Sequence, residues 1–306
     1  MKVLVATVKP FAGAAVRKIK EVLDESGYEL KLLEKYEDKQ QLLDAVADAD
    51  ALIVRSDKVD SEVIDAAEKL KIVVRAGAGY DNLDLEACNS KSIVAMNTPG
   101  QNSNAVAELA LGMMVYLARG GFNGKPGTEL RDKNLGIHAY GNVGKYVGEI
   151  AKGFGMNVFA FDPFVNDEDI EKDGIKAVSS AEELYKKCQY VSLHIPSNEK
   201  TKASIGKDLL SIMPGGAVLV NTARKEVINE KELIGVFKER EDFSYISDIA
   251  PDCSEDIEAS FEGRYFFTPK KMGAQTAEAN INAGFAAANQ IVAFLEKGDE
   301  TFRVNK

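Results

Sequence analysis

The stretch Leu135–Phe164, LGIHAYGNVGKYVGEIAKGFGMNVFAFDPF, leaves this chain few choices of fold. It reads as strand, tight glycine turn, helix, strand. Leu135–Ala139 is a short apolar run ending at a turn that Gly141 and Gly144 bracket. Val143, Val147, Ile150, Ala151 and Phe154 then recur at helical spacing, and Asn157–Phe161 is a second strand that runs into Asp162. Such a unit leaves bare backbone N–H groups at a helix N-terminus, where the helix dipole stabilises a pyrophosphate. An acidic residue closing the second strand reaches ribose hydroxyls. Asp162 lies 18 residues beyond Gly144, close to the usual offset of about 20.

One position departs from the dinucleotide fingerprint G-x-G-x-x-G. Here it is Ala139-Tyr140-Gly141-Asn142-Val143-Gly144, with alanine in the first glycine's place. That glycine serves the tight turn. Alanine is expected there with negative φ, because positive φ is costly with a Cβ. Gly-x-x-Gly alone also fits an ordinary βαβ turn. The flanking strands, the helix and Asp162 together favour dinucleotide binding, with Asp162 selecting NAD.

Composition narrows the rest. A chain of 306 residues suggests two domains. With 45% hydrophobic residues it can bury sizeable cores. A net charge of −10 argues against nucleic acid or an anionic membrane as the main partner. Cys88, Cys188 and Cys253 are too scattered for a disulfide framework, and neither they nor His138 and His194 make a metal-binding spacing. Met1 leads straight into the strand Lys2–Thr7, so no targeting segment is expected and the cytoplasm is the default. The longest apolar stretch, Ala105–Ala118, contains Glu108 and is too short to span a membrane.

Strands at Val3–Ala6, Leu30–Leu33, Ala51–Val54, Ile72–Val74 and Ile93–Met96 alternate with helices at Ala12–Glu25, Lys39–Ala47, Ser61–Ala67 and Leu83–Ser90. That is a parallel α/β domain. A helix at Ser103–Ala118 and a loop at Arg119–Gly127 lead into a second α/β unit with six strands from Leu135 to Thr268. The alanine-rich helix Ala277–Glu296 is expected to return to the first domain. The expected division is 1–98 plus 280–306 for one domain and 99–279 for the other, with a cleft between two Rossmann-like parallel sheets.

Several further stretches converge on one family. Arg75–Asp84 (RAGAGYDNLD), Met96–Pro99 (MNTP) with Ala107-Glu108-Leu109, Ser192–Pro196 (SLHIP) followed by Thr201, and Met213–Gly216 through Val220–Arg224 (VNTAR) all resemble motifs of the D-isomer-specific 2-hydroxyacid dehydrogenases. The resemblance spans essentially the whole chain and looks like a short form of the family. It implies hydride transfer between NAD and the C2 of a small 2-hydroxy or 2-oxo acid, with the Arg75–Asp84 and Asn97–Glu108 stretches pointing to a phosphorylated one. It implies a homodimer through the Ser103–Ala118 region. Carried onto this chain, it assigns cofactor contacts to Tyr140, Gly141, Asn142, Val143, Gly144, Asp162, Pro163, His194, Ile195, Pro196, Thr201, Thr222, Ala223, Asp248 and Gly273. Substrate contacts fall on Arg55 and Ser56, with Lys58, Arg75, Ala78, Gly79, Asn102 and Gln275 as further candidates on loops after parallel strands.

The chemistry needs a cation on the substrate's carboxylate and carbonyl, and an acid/base at the C2 oxygen. The resemblance gives the first role to Arg224, whose planar guanidinium suits it. The family's usual acid/base is a histidine paired with a glutamate. Alignment of Thr268-Pro269-Lys270-Lys271-Met272-Gly273-Ala274 on the family pattern puts Lys271 at the histidine and Cys253 at the glutamate. His138 reads as a core histidine, and His194 belongs to a cofactor motif. A lysine serves if burial or a neighbouring cation lowers its pKa from about 10.4, and Arg224 is such a cation. The alternative is a catalytically silent NAD-binding relative, which the retained Arg224 disfavours. Cys253 reads as inert, and Glu230, Lys231 and Glu255–Glu258 as solvated faces.

Overall fold

Strands that are apolar at every position must be buried on both faces, which parallel sheets with helices on each side provide. The computed structural model describes residues 1–306 and builds two such sheets, in two units. The first unit comprises Met1–Asn102 and Gln275–Lys306. Its elements run β1 (Lys2–Thr7), α1 (Gly13–Glu25), β2 (Glu29–Glu34), α2 (Lys39–Val46), β3 (Ala51–Val54), α3 (Ser61–Ala66), β4 (Ile72–Arg75), α4 (Leu85–Ser90) and β5 (Val94–Asn97). The five strands lie in the order β2-β1-β3-β4-β5, all parallel, which is the flavodoxin-like winding. Asp38, Asp60 and Asp84 each accept a backbone N–H from the first turn of the helix they precede and so satisfy a donor that the helix leaves free.

The second unit is Ser103–Ala274. It begins with α5 (Ser103–Ala118) and continues β6 (Asn134–His138), α6 (Asn142–Gly153), β7 (Asn157–Phe161), α7 (Asp167–Lys172), β8 (Lys176–Ala177), α8 (Ala181–Lys187), β9 (Tyr190–Leu193), α9 (Lys207–Leu210), β10 (Val218–Asn221), α10 (Glu230–Glu239), β11 (Ser244–Ser247), α11 (Ser254–Ser260) and β12 (Tyr265–Phe267). Its seven strands lie in the order β12-β11-β10-β9-β6-β7-β8, again all parallel. The winding reverses between β6 and β9, and in open α/β sheets ligands bind at the carboxyl ends of strands at such a switch point. Those ends carry Ala139–Gly144 and His194.

The last helix, α12 (Ala277–Lys297), belongs to the first unit and packs along α1. Its buried stripe is small over most of its length, Ala279, Ala283, Gly284, Ala287 and Ala288, and ends at Gln290 and Ile291. A Cβ on Gly284 would lie 3.0 Å from the Ile19 side chain of α1 and 3.2 Å from the Phe11 ring, so those two side chains pack directly onto the helix backbone at this glycine. No helix in the chain is long and apolar enough to cross a membrane.

Two expectations are corrected. Ala139 has φ +81°, not a negative value. Its N–H is held by the Phe161 carbonyl at 2.9 Å, and the chain leaves β6 through left-handed backbone there without a glycine. Alanine has the smallest Cβ and bears the strain, at a cost of ~1–3 kcal/mol. Glu230 is not simply solvated. Its carboxylate accepts the N–H groups of Asp252 and Cys253, both at 2.9 Å, and pins the segment before α11. Helices α7 and α11 were not anticipated; each buries a single residue, Ile170 or Ile257, a weak periodic signal that α4 and α9 share.

Candidate active site

Within the second unit, the first turn of α6 is prepared for an anion. Its N-cap is Gly141, no side chain caps it, and no acidic residue occupies its first turn. The N–H groups at such an end lack intrahelical partners. A Cβ on Gly144 would lie 2.5 Å from the Ala139 carbonyl oxygen, so this glycine is required by the fold. A Cβ on Gly141 would meet nothing within 4 Å. The protein itself does not demand glycine at 141, whereas a phosphate approaching the backbone would.

Asp162 stands at the end of β7. One carboxylate oxygen accepts Tyr140 N–H at 2.8 Å and the other Phe164 N–H at 2.8 Å, leaving lone pairs for ribose hydroxyls. Pro163 and the exposed Phe164 follow it. Tyr140 itself offers a ligand neither group: its N–H is on Asp162, and its buried side chain donates to Asp173 at 2.9 Å. After β9, Thr201 Oγ donates to the Pro196 carbonyl and accepts Asn198 N–H at 2.9 Å, closing the turn that follows Ile195. His194 Nδ1 lies 3.5 Å from Thr222 Oγ, and its Nε2 is buried without a protein partner. Burial, helped slightly by His138, lowers His194 to about 3. It is neutral at physiological pH and free to bond one more polar group. His138 meets the Tyr185 hydroxyl at 3.2 Å, and burial lowers it to about 4.

The two expected catalytic residues share one carbonyl. Arg224 Nη1 donates to the Ala223 oxygen at 2.9 Å, and Lys271 Nζ donates to the same oxygen at 2.8 Å. Asn221 shapes this turn, giving its Nδ2 to the Arg224 carbonyl at 3.0 Å and accepting Ala223 N–H at 3.0 Å. Asp248 shapes the other side. It is buried, and its carboxylate accepts Met272 N–H and Gly273 N–H at 2.7 Å each and Thr268 Oγ at 3.1 Å. Three bonds to the segment on both sides of Lys271 fix where that lysine emerges. Lys271 keeps an exposed surface, yet the surrounding protein desolvates its amine and lowers it to about 8, with the Arg224 guanidinium adding to the shift and Asp248 and Glu226 opposing it. Lys270 is exposed and its side chain makes no hydrogen bond or ion pair. Cys253, at the family's glutamate position, has its thiol pushed up to about 12 by burial and by Glu230.

In the first unit, the substrate candidates from Arg55 to Asn102 sit at or beyond the ends of β3, β4 and β5, and Gln275 just precedes α12. Arg55 is half-buried. Its Nη1 donates to the carbonyls of Lys9 and Pro10 at 3.1 Å each, its Nη2 bonds Asn280, and it stacks 5.2 Å from the Phe11 ring. Burial lowers its pKa. Arg75 Nε donates to the Arg55 carbonyl at 3.1 Å. Ser56 and Lys58 are exposed, Lys58 lying 3.8 Å from Asp60. The Ala78 carbonyl accepts from Asn97 at 2.6 Å. Gly79 and Asn102 are partly covered, and Gln275 is exposed. Sequence reasoning missed Asp57. It is buried and accepts Val8 N–H at 2.7 Å and the Tyr36 hydroxyl at 2.9 Å. It also missed Asn280 and Asn221. Asn221 lies inside the VNTAR motif, and its bonds to Ala223 and Arg224 are local, the kind of turn that an asparagine at this place signals.

The D-isomer specific 2-hydroxyacid dehydrogenase, catalytic domain, family matches residues 5–305. D-3-phosphoglycerate dehydrogenase of Methanocaldococcus jannaschii is 37% identical over 268 residues, covering 83% of this chain and 51% of that protein. The chain thus spans about half the length of the curated phosphoglycerate dehydrogenases it matches. Hydroxypyruvate reductase of Thermotoga maritima is 31% identical over 287 residues, 88% of this chain and 92% of that one. The NAD+-bound 3-phosphoglycerate dehydrogenase of Entamoeba histolytica superposes with TM-score 0.85 at 51% identity, over 100% of this chain and 99% of that one.

Proposed function

Because the chain belongs to the D-isomer specific 2-hydroxyacid dehydrogenase family, we propose that it is a cytoplasmic, NAD-dependent D-3-phosphoglycerate dehydrogenase, the first step toward serine. The observation that carries the enzymatic reading over a silent NAD sensor is the convergence of Arg224 and Lys271 on the Ala223 carbonyl. NAD supplies the hydride exchange at C2. The α6 N-terminus with Gly141, Asn142, Val143 and Gly144 would hold its pyrophosphate, Asp162 its adenosine ribose, and Asp248 and His194 its nicotinamide end. Arg224 would clamp the substrate's carboxylate and C2 oxygen, and Lys271 would move the proton at that oxygen. Homodimerisation through α5 completes the proposal. The test is purified protein with NADH against phosphohydroxypyruvate, hydroxypyruvate and glyoxylate. Turnover of none of the three would leave the sensor.

Asp162 sets the cofactor. Its carboxylate repels a 2′-phosphate, and Pro163, Phe164 and Val165 offer no cation to receive one. NADH is expected to exceed NADPH in kcat/KM, and Asp162→Ala to narrow that preference about tenfold by removing the like charge. Equal kcat/KM for the two cofactors in the unsubstituted protein would refute the assignment.

A second reading, hydroxypyruvate reductase, is favoured by one observation: the Arg55 guanidinium is already bonded to Lys9, Pro10 and Asn280. We assign phosphate binding to Arg55 through its remaining N–H groups. Arg55→Ala should then lower kcat/KM for phosphohydroxypyruvate by ~10² and for hydroxypyruvate only a few-fold, since only the former loses a charge-assisted pair. Equal losses would make Arg55 a strut of its own loop and favour the reductase.

A further inference from the structure

The turn after β6 is strained at one residue, and the next residue is anchored at both ends. Ala139 has φ +81°, a region that alanine leaves whenever it is free to. Such strain persists only where the surroundings over-determine it. On one side the Ala139 N–H is bonded to Phe161. On the other stands Tyr140, which is fully buried. Its N–H donates to Asp162 at 2.8 Å and its hydroxyl to Asp173 at 2.9 Å. Asp173 is the C-cap of α7, and its carbonyl takes the Lys152 amine from the last turn of α6. Tyr140 thereby grips the start and the end of the segment that runs from Asp162 through α7. Lys145 covers its ring at 5.9 Å.

We propose that Tyr140 is a positioning residue that locks Ala139 in left-handed backbone, and through it keeps Gly141–Gly144 and Asp162 in their NAD-binding places. This rests on the cofactor reading above. The tyrosine hydroxyl does for this chain what glycine at 139 would do without help. Cutting the Tyr140–Asp173 bond lets Ala139 relax to negative φ, and the first turn of α6 moves with it. With glycine at 139 the same cut has no strain to release.

The test is the Kd for NADH, read by fluorescence well below the melting temperature, with far-UV circular dichroism confirming a folded protein. Tyr140→Phe is expected to raise the Kd about tenfold, the loss of one part-buried bond to a charged acceptor. Asp173→Ala removes the acceptor from the exposed end, leaves the core intact, and should raise it by the same factor. In the Ala139→Gly background, Tyr140→Phe should raise the Kd less than about twofold, a non-additivity that a merely structural tyrosine would not produce. An unchanged Kd in both Tyr140→Phe and Asp173→Ala, or an equal penalty with alanine and with glycine at 139, overturns the proposal and leaves the cofactor assignment standing. Failure of the unsubstituted protein to bind NADH would overturn both.

Discussion

Lys271→Ala is expected to lower kcat by ~10²–10⁴, the usual worth of a general acid/base, while NADH affinity survives. The lysine has geometry and proton affinity for the task. Its amine rests 2.8 Å from the Ala223 carbonyl, on the same oxygen as Arg224, and it titrates at about 8. The sign of the pH dependence follows. Reduction needs the ammonium as proton donor, so its rate should fall as pH rises through about 8. Oxidation needs the neutral amine, so its rate should rise through the same region. Both limbs should vanish in the alanine variant. Lys270→Ala is the control, because Lys270 is exposed without a bonded partner and should change kcat by less than about twofold. Lys271→His should recover little, since the position of the partner glutamate is Cys253. Loss of activity with Lys270→Ala but not Lys271→Ala would assign the proton to the wrong neighbour. Insensitivity to both would leave water as the proton source.

The βαβ unit and the parallel sheets were legible because local pattern decides them. A strand apolar at every position, such as β3, has no stable alternative to a buried parallel sheet, and β9 and β10, with one polar residue each, are buried along their whole length like it. The Arg224–Lys271 pair was legible as two motif positions. Their shared acceptor was not, because a backbone carbonyl leaves no mark in sequence. The same holds for Asp248, whose three bonds are to the segment 20 or more residues beyond it. Ala139 misled for a physical reason. Propensity rules treat positive φ as forbidden to alanine, whereas the bonds on either side of it impose that conformation. Arg55 shows the opposite failure. A motif match names a ligand-binding arginine, and only coordinates reveal that Lys9, Pro10 and Asn280 already compete for it.

Arg224 should prove to have two separable effects. Arg224→Ala is expected to lower kcat/KM by ~10²–10³, the cost of removing a cation aimed at developing oxyanion charge. It should also move the titration of Lys271. The guanidinium is the second cause of that amine's depression, after desolvation. Its removal relieves like-charge repulsion on the ammonium, so the pKa rises, though not to the free value, because the larger cause stays. The oxidative limb should therefore shift to higher pH, and at pH 8 oxidation loses clamp and base together while reduction loses only the clamp. The ratio of oxidative to reductive rate at that pH falls accordingly. Arg224→Lys separates the two effects. It keeps a positive charge near Lys271 and should return the pH midpoint toward its original place. It cannot restore the bidentate fork on a carboxylate, so kcat/KM should stay low. A midpoint that does not move in Arg224→Ala would mean that the two cations do not feel each other, and the lysine's acidity would then rest on desolvation alone.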